Sequence, residues 1–140
     1  MSRYLTFDQQ QIDLEDIGRR GNDLSLDRCV SLDSSAVKLS VPHLDELITA
    51  ILTARRNKNP IIAMFGGHPI KLGLSRYIID LIESGLITHV ATNGAGIIHD
   101  FELALVGGTS EDVARWINVG QFGLWQETSR LNDIEEKDEG

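Results

Sequence analysis

The stretch Ile61–Leu105, IIAMFGGHPIKLGLSRYIIDLIESGLITHVATNGAGIIHDFELAL, decides the fold. It opens with Ile61–Phe65, a short and nearly continuous apolar run, which is the pattern of a strand covered on both faces. Gly66, Gly67 and Pro69 break the run. Ser75 is then placed as a helix N-cap, and Leu74, Ile78, Leu81 and Ile82 recur at helical spacing until Gly85 stops the helix. Ile87–Thr92 reads as a second strand, ended by Asn93-Gly94-Ala95-Gly96. A further helix follows, with Ile97, Phe101, Ala104 and Leu105 expected to face inward. Strands joined through a helix run parallel with a right-handed crossover, so the fold class is α/β around a parallel sheet. Both glycine-bearing loops then leave the carboxyl ends of parallel strands, where such sheets bind ligands.

Upstream, Ser40 and Pro42 announce a helix from about Val41 to Arg56. Asp45 and Glu46 in its first turn and Arg55, Arg56 and Lys58 at its end suit the helix dipole. Leu44, Leu47, Ile48, Ile51 and Leu52 form one apolar stripe, which predicts a helix packed on the sheet. Residues 1–40 are polar and weakly patterned, and read as an N-terminal arm or a mobile terminus. The α/β body is expected over residues 41–132.

Downstream, Gly107-Gly108 makes a third break with Thr109 or Ser110 as the next N-cap. Glu111 and Asp112 are expected in the first turn of a helix reaching about Asn118, with Val113, Trp116 and Ile117 inward. Phe122–Leu131 is read as a last amphipathic segment, and residues 133–140 as an acidic disordered tail. Trp116 and Trp125 are expected in a core or an interface. Two parallel strands leave both sheet edges open, so either the polar N-terminal region adds pairing or another chain completes the sheet. Association is therefore expected.

The composition narrows the function classes. A chain of 140 residues is most simply one domain, large enough to bury roughly two thirds of its unfolded surface. A formal net charge of −8 argues against general nucleic-acid binding, which needs a basic face to displace counterions, but leaves cationic small molecules such as polyamines open. Cys29 is the single cysteine, so no intramolecular disulfide is expected and a reducing cytosol is the default compartment. Met1–Gln11 lacks the basic start and apolar stretch of a secretory leader, and no apolar run approaches the ~20 residues of a membrane span. His43, His68, His89 and His99 do not form a His-Glu-x-x-His pattern, so no metal site is expected. No Gly-x-Ser-x-Gly elbow points to a serine hydrolase.

The two loops carry the chemistry. Gly66-Gly67-His68-Pro69-Ile70-Lys71-Leu72-Gly73 combines backbone freedom with an imidazole and an amine, ahead of a helix whose first N–H groups suit an anion. It lacks the Gly-Lys-Ser/Thr end of a Walker A loop. Lys71 either meets a phosphate or is solvated; His68 is either a ligand contact and general base or a hydrogen-bonded structural histidine. Asn93-Gly94-Ala95-Gly96-Ile97-Ile98-His99-Asp100 begins like Gly-x-Gly-x-x-Gly, but His99 stands at the third glycine, which weakens a standard dinucleotide fingerprint. Asn93 and the amides of residues 94–96 still offer a polar cradle for ribose or pyrophosphate. Asp100 and Glu102 are expected in the first helical turn, complementing the dipole; Asp100 is also a candidate for ribose hydroxyls or a substrate amine. An acid–base enzyme using His68 and His99, and a non-catalytic assembly module, are the alternatives.

Taken with the helix between them, these loops resemble deoxyhypusine synthase and its bacterial relatives. That family has a strand, a Ser-Asn-Leu-Ile-Ser-Ser-Gly loop, a helix, and a strand running into Thr-Ala-Gly-Gly-Val-Glu-Glu-Asp. Here Gly67–Gly73 occupies the first loop and Asn93–Asp100 the second. The run Gly107-Gly108-Thr109-Ser110-Glu111-Asp112-Val113 looks most like the bacterial branch, and the resemblance covers about Val41–Thr128. It implies a Rossmann-like fold that binds NAD near subunit interfaces of a homo-oligomer. The family's reaction oxidises a polyamine such as spermidine and transfers its aminobutyl group through an imine on a lysine, a transferase activity. The resemblance implies NAD contacts at Gly67, His68, Pro69, Ile70, Lys71, Asn93, Gly94 and Ala95, with His99 shared between NAD and amine and Asp100 beside it. Ile98 and His99 replace the family's paired glutamates, removing two carboxylates that would hold a polyamine. The family's catalytic lysine belongs to a C-terminal half that this chain lacks; Lys71 lies in the nucleotide loop and Lys137 in the tail. No catalytic residue is assigned, and a half domain completed by further copies or a partner chain is expected.

Overall fold

The computed structural model describes residues 8–35 and 40–135. It is a mixed helix–strand structure with two small sheets, one of them parallel. In chain order the elements are β1 (Asn22–Ser25), α1 (Leu44–Arg56), β2 (Ile62–Phe65), α2 (His68–Lys71), α3 (Ser75–Glu83), β3 (His89–Thr92), α4 (Gly94–Val106), β4 (Gly108–Glu111), α5 (Val113–Asn118) and α6 (Gln126–Glu135). Three short 3-10 turns, Gln9–Gln11, Ile17–Arg19 and Leu26–Arg28, flank β1. The chain divides into two compact units, one spanning 24–109 and one formed by 1–23 with 110–140. None of the described helices is long and apolar enough to cross a membrane.

The larger unit holds the parallel pair. Strands β2 and β3 run side by side with Ile62 opposite His89, Ala63 opposite Val90, Met64 opposite Ala91 and Phe65 opposite Thr92. A small core forms where Leu24, Cys29, Ile70 and Leu103 meet, with Phe65 and Ile78 packed against it. Its members come from β1, the turn after it, α2 and α4. The Cys29 thiol is free and buried there. Tyr77 of α3 donates its hydroxyl to the Ser31 carbonyl at 3.0 Å, and Val30 N–H to the Gly73 carbonyl at 2.9 Å, tying residues 24–35 to this unit.

Several expected inward faces are uncovered. Strand β2 is not buried on both sides: Met64 is 80% exposed and Ile62 is exposed as well. The stripe of α1 is intact as a pattern but no residue of it is buried, and Leu47 is 56% exposed. On α3, Leu81 and Ile82 face solvent. On α4, Ile97 and Leu105 are exposed while Gly96, Glu102 and Leu103 are buried, so the helix is rotated relative to the apolar face expected for it. An amphipathic pattern states which face prefers cover; it does not supply the covering element. Helix α1 also starts late, at Leu44, because His43 takes a left-handed conformation (φ 61°). Ser75 is the first residue of α3 rather than its cap, which is Leu74, and its buried Oγ has no hydrogen-bond partner.

In the smaller unit, Ile17, Trp116 and Trp125 form the core. The two indoles meet edge to face, with centroids 5.0 Å apart and planes at 84°. The buried Arg20 guanidinium lies 5.5 Å from the Trp125 ring centroid and donates to Asn22 Oδ1 from both Nε and Nη2, at 2.9 and 2.7 Å. Glu111 accepts from the Trp125 indole N–H at 3.0 Å and from the Gly123 amide at 3.1 Å. Glu15 pairs beside Trp125 as an isolated parallel bridge, and the Ile17 amide donates to Glu127. Both tryptophans are thus core residues of this unit. Val113 and Ile117, expected inward, are exposed.

Strands β1 and β4 pair as a second sheet. Among the described residues, the N-terminal region contributes pairing through β1, to β4 and not to the β2–β3 sheet. Thr109 and Ser110 lie within β4 rather than capping a helix. The cap of α5 is Asp112, whose Oδ1 accepts from the Arg115 amide at 3.0 Å. Residues 133–135 are helical, closing α6; the remainder of the expected acidic tail lies outside the described residues, as do residues 1–7 and 36–39 of the N-terminal arm.

Candidate functional site

The register of the parallel pair sets the site. Phe65 and Thr92 are the last residues of their strands and face each other, so both chains turn out of the sheet at the same level. The two loops consequently adjoin. A Cβ on Gly66 would sit 3.2 Å from the Asn93 amide nitrogen, and a Cβ on Gly67 would sit 2.7 Å from His99 Cδ2 and 3.1 Å from the Ala95 carbonyl oxygen. Glycine at 67 is what lets the first loop lie on the start of α4.

Asn93 is the N-cap of α4, its Oδ1 accepting from the Gly96 amide at 3.1 Å. Gly94 and Ala95 are the first two helical residues, whose N–H groups have no earlier turn to bond to. They point where an anion is favoured by the positive end of this 13-residue helix. Gly96 is buried because the helix starts directly on β3: a Cβ there would collide with the Thr92 hydroxyl and lie 3.2 Å from Thr92 Cβ. This glycine, the second of the Gly-x-Gly pair, is needed for close helix–strand packing here.

The first loop is not free coil. Residues His68–Lys71 form the single-turn helix α2, with the Lys71 amide donating to the Gly67 carbonyl at 2.9 Å. His68 is exposed, Pro69 and Lys71 are half-buried, and Ile70 points into the core with Leu24, Cys29 and Leu103. Only the backbone of Ile70 therefore remains for a ligand. Asp100 is exposed on the second turn of α4, not its first, because that helix already begins at Gly94. Glu102 lies further along still, and is buried.

His99 is held from behind. Its Nδ1 lies 2.9 Å from Thr109 Oγ1, and the Thr109 hydroxyl donates to Glu102 Oε2 at 2.7 Å. Thr109 is fully buried and Glu102 only 3% exposed. Sequence reasoning placed Thr109 at a helix cap and Glu102 at a dipole, and missed this chain. The available signal was spacing: His99 and Glu102 are three residues apart and so share one face of α4. Among the described residues no group of three or more His, Cys, Asp or Glu side chains could hold a metal ion.

The described geometry thus unites Gly66, Gly67, Asn93, Ala95 and His99 at the carboxyl ends of two parallel strands, with His68 and Lys71 on the adjoining turn. No protein-family model matches this chain, and neither a curated protein nor a solved structure does.

Proposed function

We propose that the larger unit is a Rossmann-like NAD-binding module related to the deoxyhypusine synthase family. The single observation that supports this reading most is the adjacency of the two loops over the ends of β2 and β3. Residues Gly67, His68, Pro69, the Ile70 backbone and Lys71 line one side of the nucleotide in this proposal. Asn93, Gly94, Ala95 and His99 line the other, with the α4 amides suited to pyrophosphate. Gly67, with no side chain, lets the first loop lie directly on His99 and Ala95, which keeps the two loops of the proposed site together. His99 and Asp100 are assigned to a polyamine or another amine substrate.

No transfer step is assigned to a residue of this chain, since Lys71 belongs to the nucleotide loop. NAD, when bound, supplies hydride acceptance; the chain's own groups bind and orient it. The exposed Ile62, Met64, Leu47, Ile48 and Leu52 support completion by further copies of the chain or by a partner carrying the rest of the site. Isothermal calorimetry with NAD, NADH and spermidine on the full chain tests the reading. Saturable binding of NAD or NADH is the expected result. No saturable heat with either nucleotide, at chain concentrations where light scattering shows the assembled state, would remove the proposal.

A further inference from the structure

We propose that the apolar stripe of α1 is covered by α1 of a second copy of this chain, the two helices lying antiparallel about a two-fold axis. Helix α1 runs Leu44–Arg56, and Leu44, Leu47, Ile48 and Leu52 of its stripe are all exposed. The charges beside the stripe select what covers it. Asp45 and Arg56 are eleven residues apart, which is three turns and about 20° of rotation at ~3.6 residues per turn. They therefore stand on the same flank of the stripe, at opposite ends. The helix dipole accounts for an acid at one end and a base at the other, but not for their sharing a flank. Both side chains are exposed, and among the described residues neither enters an ion pair.

A two-fold axis perpendicular to the plane of two antiparallel helices brings like flank to like flank, and first turn to last turn. Asp45 of each copy then faces Arg56 of the other, twice in one dimer, with Ile48 and Leu52 between the two pairs. A parallel pairing would instead set the acidic first turns, Asp45 and Glu46, side by side and the basic last turns likewise. A formal charge of −8 disfavours an anionic lipid surface as the cover. One helix face falls short of the roughly 800 Å² per partner of a standard interface, so the dimer is expected to dissociate on dilution through the micromolar range. The pairing does not depend on the nucleotide reading.

Sedimentation equilibrium of the full chain without ligand, over about 1–500 μM, tests the proposal. The expected result is a reversible dimer. A chain that stays monomeric throughout, its stripe left for another polypeptide, overturns the proposal. Ile48→Glu, at an exposed position of the stripe, should weaken self-association by about a hundredfold, and unchanged association overturns the proposal by placing the contact elsewhere. Asp45→Arg and Arg56→Asp each turn two attractive pairs into repulsive ones, and each should weaken self-association by about tenfold or more. Mixed one to one, these two variants regain both attractive pairs across the interface and should associate with near wild-type affinity. Variants that pair no better together than apart overturn the antiparallel arrangement and the proposal with it. Far-ultraviolet circular dichroism checks that every variant keeps its helices; if the charge variants lose them, the wild-type and Ile48→Glu measurements decide.

Discussion

Trp125→Ala is expected to destabilise the smaller unit by about 3–5 kcal/mol, the usual range for truncating a buried tryptophan. Trp125 is 1% exposed and serves three partners at once. Its ring meets Trp116 edge to face and has the Arg20 guanidinium over it, and its N–H donates to Glu111. Truncation leaves a cavity beside Ile17 and removes one of the donors to the Glu111 carboxylate. Urea unfolding followed by the fluorescence of the remaining Trp116 measures the effect. A loss below about 1 kcal/mol, the level of a surface change, would show that this cluster is not the core of the unit.

Gly67→Ala is expected to have the second largest effect, and to act on both stability and binding. The added methyl would lie 2.7 Å from His99 Cδ2, and 3.1 and 3.2 Å from the Ala95 carbonyl oxygen and carbon. The imidazole cannot swing away without breaking its bond to Thr109, and the Ala95 contact is backbone at the start of a helix. Overpacking of this kind costs about 1–3 kcal/mol. Because the displaced groups are the ones assigned to the nucleotide, NAD affinity should fall by about tenfold or more. Gly21→Ala, where a methyl meets nothing within 4 Å, controls for the substitution itself. Equal stability and equal affinity in the two variants would contradict the close approach of the loops.

The parts legible in sequence are those whose signals are local. The apolar run at Ile61–Phe65, its glycine break, the periodic segment stopped by Gly85 and the break at Asn93–Gly96 each depend on residues a few positions apart. They gave two parallel strands, the helices around them and the placement of both loops. Strands β1 and β4 were illegible because Asn-Asp-Leu-Ser and Gly-Thr-Ser-Glu carry no apolar alternation. Their pairing joins distant parts of the chain, which no window of local pattern contains. Glu102 was misread for a related reason. A glutamate is ordinarily solvated, and only the fold brings a buried hydroxyl from β4 against this one. The stripe of α1 shows the opposite failure: the local pattern was read correctly, but cover was inferred from it.

Titration of the uniformly nitrogen-15-labelled chain with NAD, followed amide by amide, addresses the shared rim most directly. The account predicts saturable shifts at Gly66–Lys71 and at Asn93–His99 together, fitting one dissociation constant, with the Trp116–Trp125 cluster unmoved. Shifts confined to one loop, or no saturable shift in either, would contradict it.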